Sequence, residues 1–408
     1  MMLTKITLTT QILIAMMIGS LLGIIGGQHI VGIKLIGEVF LRLIQMAVTP
    51  LILFSVIEAI GNLPGHELGR LGIKTAGWFA VTTLVAALIG LVVGWWFKPG
   101  HDLHLPLSQA TQYHLLNHHP SINQTILAFF PTNIFDALQT GNTIQIIIFA
   151  SLLGIVLSQE NRHHQYDSFL VMIHRLNHLF IRLITLIMHL APFGIGALMA
   201  WVTATNGVTI ILPLAKFLIL LAGSSFIFLT GLFALVMCNA HLPLRGLLHG
   251  FTRIVMVAMT TTSSAATLPI EMTDAEERLG IQESISQLVL PLGMALNSNG
   301  LAMYLSLACV TLSQFYGLNL PIITMLRIVT LSIVACLGTV VVPGGGLVAL
   351  TIIVPTLGLP LETIGLLAGI DWIAGIFRTL LNVVGDTTTA ILIAANEHQL
   401  NRDVYQSK

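Results

Sequence analysis

The stretch from Leu361 to Asn396, LETIGLLAGIDWIAGIFRTLLNVVGDTTTAILIAAN, decides how the chain is read. Crossing a bilayer takes about 20 apolar residues, and this stretch is long enough. It nevertheless carries Asp371, Arg378, Asn382 and Asp386. At 100° per residue, offsets of 7, 11 and 15 from Asp371 point to about −20°, 20° and 60°. The four polar side chains therefore share an arc of roughly 80° on a helix that is otherwise apolar. A charge inside a membrane helix costs roughly 3 kcal/mol or more and normally faces a bundle interior or a water-filled cavity. The stripe predicts a polar site. Arg378 offers a two-pronged fork to a carboxylate. Asp386, with Asn382 one turn before it, offers oxygen ligands to a small hard cation. The competing reading is an Asp–Arg pair that only joins helices.

Composition points the same way. The 408 residues are 55% hydrophobic and 8% charged, with a mean hydropathy of +0.91. A soluble domain carries about 25% charged residues, so this chain cannot cover a water-facing surface and must face lipid. Its length allows about eight crossings. Lys plus Arg equals Asp plus Glu, which gives no footprint for a nucleic-acid partner. Cys238, Cys309 and Cys336 are irregularly spaced in apolar runs, which indicates neither a disulfide framework nor a metal motif. The first apolar stretch runs through Ile24 without a convincing cleavage site and reads as a retained helix. Nothing in the chain reads as a soluble enzyme.

Working outward, long apolar segments lie at 6–27, 35–60, 72–97, 124–159, 168–203, 208–239 and 281–313. Two more, at 246–275 and 321–358, are apolar but broken midway, by Thr260-Thr261-Thr262-Ser263-Ser264 and by Val342-Pro343-Gly344-Gly345-Gly346. Neither half of either segment spans alone, so each is expected to enter and leave by one side. Irregular backbone at membrane depth is tolerated only when buried or lining a wet cavity. Each broken segment precedes a long helix with unusual polar residues, and such paired interruptions point to a transporter's binding site. The competing reading is two ordinary helices kinked by Gly and Pro. The distribution of Lys and Arg puts both termini inside, the first broken segment entering from inside and the second from outside. The loop at 101–123 holds His101, His104, His114, His118 and His119, without regular ligand spacing, and reads as a solvated external loop rather than a metal site.

The segment at 281–313 is interrupted by Asn297-Ser298-Asn299-Gly300. Local unwinding there exposes carbonyl oxygens that suit sodium. Interhelical hydrogen bonding by asparagine, worth about 1 kcal/mol, is the alternative. Thr82 and Thr83, taken alone, are expected to bond back to their own backbone.

These pieces resemble the glutamate transporter family, the dicarboxylate/amino acid:cation symporters, across nearly the whole chain. The resemblance runs in order through Gly69-Arg70-Leu71-Gly72-Ile73-Lys74 to Phe97-Lys98-Pro99-Gly100, Pro131-Thr132-Asn133, and Ser263-Ser264-Ala265-Ala266-Thr267-Leu268-Pro269. It continues through Val342-Pro343-Gly344-Gly345-Gly346 to Gly369-Ile370-Asp371, Arg378-Thr379, Asn382 and Gly385-Asp386. The last motif is the most specific.

The resemblance implies an all-α integral membrane protein with eight transmembrane helices, two re-entrant helical hairpins, inverted repeats and an elevator mechanism. It implies a multi-pass homotrimer in the cell (inner) membrane. Scaffold helices 1–2 would occupy 1–67, transport helix 3 would occupy 68–100, and scaffold helices 4–5 would occupy 124–205. The rest of the transport part would occupy 206–408. Ser263, Ser264, Val342, Pro343, Gly346, Asp371, Arg378, Thr379 and Asn382 would line the substrate site, with Arg378 on a distal carboxylate. Asn297, Asn382 and Asp386 would hold sodium, and Thr82, Thr83 and Asn299 a second sodium. No organic cofactor is implied; the coupling ion is sodium or a proton.

Three departures matter. Where the family has N-M-D-G-T, this chain has Asn297-Ser298-Asn299-Gly300-Leu301, so the second sodium set lacks its acid. Family members that carry amino acids place an aspartate one turn before the arginine, and here that place is Gly375. Thr262 stands where archaeal members have arginine. The reading is symport of a small dicarboxylate such as succinate, fumarate or malate. A glutamate/aspartate symporter whose hairpin backbone binds the amine comes next, then an anion-conducting or uncoupled member. An intramembrane aspartyl protease fails because Asp371 and Asp386 lie about 22 Å apart along one helix.

Overall fold

A computed structural model describes residues 8–61, 70–101, 103, 105, 127, 130–160, 166–318, 320–337 and 345–406. Val342, Pro343, His104, His114, His118 and His119 lie outside the described residues.

The described chain is helical, with one isolated bridge between Ile281 and Leu400. The helices are α1 (Leu8–Gly26), α2 (Lys34–Gly61), α3 (Arg70–Phe97), α4 (Ile134–Thr140), α5 (Thr143–Glu160) and α6 (Asp167–Met188). There follow α7 (Ala191–Asn206), α8 (Ile211–Ala240), α9 (Leu244–Thr261), α10 (Ser264–Glu277), α11 (Glu283–Leu296) and α12 (Asn299–Phe315). The last are α13 (Ile322–Leu337), α14 (Gly345–Thr356), α15 (Ile364–Ala368), α16 (Asp371–Asn396) and α17 (Asp403–Gln406). Six stretches among the described residues are long and apolar enough to cross a membrane: 10–58, 70–97, 167–188, 211–240, 283–315 and 371–396. The first holds both α1 and α2. Shorter apolar helices lie within α5, α7, α13 and α14.

Three segments that read as continuous in the sequence are divided. The run at 168–203 breaks at His189-Leu190, and Pro192 sits in the first turn of α7, where its missing N–H has no helical partner to lose. The run at 124–159 breaks at Gly141, whose φ of 67° closes α4 in the left-handed region. The run at 361–396 breaks at Gly369-Ile370, so Asp371 opens α16. An acid in the first turn is favoured by the positive end of the helix dipole.

Helices α1, α2, α5, α6 and α7 pack around α2 and α7. Helices α3 and α8 to α12 pack around α16. Bridging contacts run from α13 to α5, α14 to α2 and α15 to α7. The sequence explains why α16 is central: its apolar residues occupy every direction its polar stripe leaves free, and 19 of its 26 residues are buried. Lys74 pairs with Glu397, and its ammonium holds that half-buried carboxyl below the usual carboxylate range. This pair joins the start of α3 to the end of α16, so the two helices run antiparallel.

Candidate functional site

The two breaks in apolar helices form the site's framework. Between α9 and α10 the chain turns at Thr262, which has φ 48° and ψ 32° and whose N–H donates to the Ala258 carbonyl. A β-branched residue rarely adopts this left-handed conformation, so the turn is strained. Ser263 is extended and caps α10, its Oγ accepting from the Ala266 N–H at 3.3 Å. Ser264 is the first residue of α10. Helices α9 and α10 pack against each other and against α16.

Between α11 and α12, Asn297 and Ser298 leave helical geometry, at ψ 126° and 45°. Asn297 Nδ2 donates to Asp386 Oδ1 at 2.7 Å and to the Asn382 carbonyl at 3.2 Å. The Asn382 Oδ1 accepts from the Gly300 N–H at 2.8 Å. Those two oxygens, Asp386 Oδ1 and Asn382 O, therefore converge on one point, with a donor already between them. The break is held open by these hydrogen bonds to α16, which replace the helical ones it lacks.

Farther toward the start of α16, Arg378 Nη1 lies 3.0 Å from Asp371 Oδ1. The guanidinium also sits over the Tyr304 ring, with Cζ 5.4 Å from its centroid. Gly346, at the start of α14, covers the pair. A Cβ there would lie 2.1 Å from Arg378 Nη1 and 2.5 Å from Asp371 Oδ1, so any side chain at this place would have to push the ion pair aside. Gly375 is open on the other side: a Cβ would stand 3.4 Å from Arg378 Nη2, an ordinary contact. Thr379 is buried next to Arg378.

The structure thus brings Gly346, Asp371 and Arg378 together, and Asn297, Asn382 and Asp386 together. Thr82 Oγ1 bonds back to the Trp78 and Phe79 carbonyls, as expected. Thr83 does not; its Oγ1 donates to Asn297 Oδ1 at 3.4 Å and Asn299 Oδ1 at 3.2 Å. Asn299 Nδ2 is buried and finds no acceptor among the described residues. This second set presents a neutral amide where a cation calls for charge, whereas Asp386 and the Asn382 carbonyl are hard oxygen donors that suit a small cation.

Two residues of the site escaped the sequence reading. Tyr304 is fully buried in α12, edge-on to Phe217 with ring centroids 5.9 Å apart. An aromatic in an apolar helix carries no signal by itself. Glu271, in α10, is 1% exposed and accepts from Thr387 Oγ1 at 2.8 Å. It lies close enough to Asp386 for their charges to interact. Here there was a signal: an acid inside an apolar segment deserves a functional reading by default.

Helices packed on all sides of a buried polar helix, with two interruptions aimed at it, define a multi-pass membrane protein. The chain belongs to the sodium:dicarboxylate symporter family, whose sequence model matches residues 8–396. It is 31% identical over 420 residues to a proton/glutamate-aspartate symporter of Escherichia coli, covering 98% of this chain and 94% of that protein. It is 29% identical over 407 residues to a proton/sodium-glutamate symport protein of Bacillus subtilis, covering 97% and 94%. A C4-dicarboxylate transport protein of Bacillus subtilis is 29% identical over 408 residues, again covering 97% and 94%. These identities do not separate the two substrate classes.

Proposed function

We propose that the chain is a secondary active symporter that couples inward flow of sodium or protons to uptake of a small C4-dicarboxylate. The observation that carries this is the pairing of a half-buried Arg378 with a vacant place at Gly375. The guanidinium supplies charge-assisted hydrogen bonds to a substrate carboxylate. An acidic amino acid would also bring an ammonium, and Gly375 offers that ammonium no counter-charge. Asp371 already shares its charge with Arg378. A dicarboxylate with no amine leaves nothing unpaired.

Substrate and ion sites meet at Asn382. Its carbonyl is one of the two oxygens that converge beside Asp386, and its side chain holds the Gly300 N–H at the α11–α12 break. Asp386, Asn382 and the backbone near Asn297 would hold the cation. Filling that place displaces the Asn297 amide and so moves the break on which the substrate-facing end of α12 depends. Tyr304 is on that same helix, under Arg378, which gives a route from ion binding to the carboxylate site.

In this reading the hairpins α9–α10 and α13–α14 are re-entrant, with Ser263, Ser264 and the backbone at Gly346 closing over substrate. Helices 1, 2, 4 and 5 form a scaffold at 1–67 and 124–205, and the parts at 68–100 and 206–408 move as an elevator. The protein is a homotrimer in the inner membrane with both termini cytoplasmic. The interrupted helices and the packing around α16 support it.

A second reading, an acidic amino acid symporter, is favoured by the relatives named for glutamate. Uptake by purified protein in liposomes separates the two. Labelled succinate and labelled aspartate are each supplied with an inward sodium gradient, then with an inward proton gradient alone. Gradient-driven accumulation of succinate over aspartate is expected. Aspartate preference would establish the second reading, and current without accumulation of either would show an anion-conducting or uncoupled protein.

A further inference from the structure

Lys34 opens α2. A cation in so apolar a stretch needs partners, and three groups hold this one. Its Nζ lies 2.9 Å from Glu38 Oε1, one turn on in the same helix, and 3.0 Å from Glu362 Oε1. The ammonium also sits over the Trp201 ring, 4.8 Å from the centroid.

These partners come from two different groups of helices. Glu38 is in α2 and Trp201 in α7, the two helices around which α1, α5 and α6 pack. Glu362 is remote in sequence, in the single turn Leu361–Thr363 between α14 and α15. That turn is anchored to α12: Thr363 is buried, and its Oγ1 lies 2.9 Å from the hydroxyl of Tyr316, which ends α12. Around the ion pair the boundary between the two groups is apolar and close. A Cβ on Gly365 would lie 2.9 Å from Leu198 Cβ in α7, and one on Gly369 would lie 2.9 Å from Met16 Cε in α1. Burial of hydrocarbon is non-directional, so such surfaces can slide with little loss. An ion pair is directional and fixes one register.

We propose that Glu362 latches the 206–408 part to the helices around α2 in the conformation seen here, and that Lys34 falls back on Glu38 and Trp201 when the two parts move. A latch has a role only where parts move, and in that it rests on the elevator reading above. Lys34 keeps an acid in both conformations, so opening leaves no cation unpaired. The charged side chains are between 28% and 31% exposed, so the pair biases the conformation without locking it. A contact made in one conformation and lost in another shifts the population toward the first by its own strength. The two acids therefore act in opposite directions. Without Glu362 the latch is gone; without Glu38 the lysine depends on Glu362 and the latch tightens.

The test uses the full-length protein in liposomes, spin-labelled at the exposed Cys238 of α8 and at L179C of α6, and diluted with unlabelled protein so that distances within one chain are read; Cys309 and Cys336 are buried. Pulsed electron resonance gives the ratio of the conformation seen here to any other. E362Q is expected to lower that ratio roughly threefold and E38Q to raise it by a similar factor. If E362Q fails to assemble, the rise in E38Q decides alone. An unchanged ratio in either variant, or a shift in the same direction in both, would overturn the latch. K34C/E362C, oxidised to a disulfide, is expected to stop uptake of labelled succinate and aspartate until it is reduced. Full uptake by the cross-linked protein would remove the elevator reading and the latch together. Blocked uptake beside an unchanged ratio in E362Q would remove the latch alone.

Discussion

The two halves of α16 handle charge in opposite ways. The first half is neutral within itself: Asp371 and Arg378 face each other at 3.0 Å, with side chains 11% and 14% exposed. The second half collects negative charge. Asp386 and Glu271 are each 1% exposed, and among the described residues no basic side chain pairs with either. A self-neutral pair is suited to exchanging one carboxylate for another. Two buried carboxylates in a low-dielectric interior cannot both remain ionised without a cation. In the proposed reading, one helix carries both the anion site and the cation site, about three turns apart. Symport of an acid with a cation is the chemistry this arrangement allows.

The largest test of that contrast is Arg378→Ala. It removes the fork and leaves Asp371 without its partner. Uptake of any carboxylate should fall at least ~100-fold, given about 1.5–3 kcal/mol for each charged hydrogen bond. Size-exclusion chromatography should show the protein still assembled; unchanged uptake affinity would remove Arg378 from the substrate site. Next is Asp386→Asn, which keeps the shape of the second half and halves its acids. The sodium concentration for half-maximal uptake should rise roughly tenfold or more. A sodium response identical to wild type would move the ion elsewhere.

Gly375→Asp sharpens the first half. The contact at 3.4 Å leaves room for the new side chain beside Arg378, and its carboxylate gives an ammonium its missing partner. The ratio of aspartate to succinate uptake should rise roughly tenfold. The same ratio in variant and wild type would count against the substrate argument. Glu271→Gln is expected to have the smallest effect, because the amide still accepts from Thr387. Removing its charge should change the half-saturating cation concentration several-fold, by roughly 1 kcal/mol. An effect as large as that of Asp386→Asn would make Glu271 a direct ligand.

Much of this was legible in the chain. The apolar spans follow from hydropathy, because lipid punishes exposed charge wherever it falls. The stripe at Asp371, Arg378, Asn382 and Asp386 follows from the period of the helix. The breaks near Thr262 and Asn297 follow from residues that compete with helical hydrogen bonds. Less visible was where apolar runs divide: the runs continue apolar on both sides of His189 and of Gly369-Ile370, and only the packed backbone reveals the turn.

The residues alone determined that the protein lives in a bilayer, that helices are interrupted near Thr262 and Asn297, and which polar side chains share one face of α16. These depend on composition and on a fixed helical period. Only the tertiary structure decided that Asn297 bridges Asp386 and the Asn382 carbonyl, that Gly346 lies against Arg378, and that Thr387 holds Glu271. Each contact joins residues from different helices. The order in which helices pack, set by shape across distant parts of the chain, fixes such distances, and no local pattern encodes them.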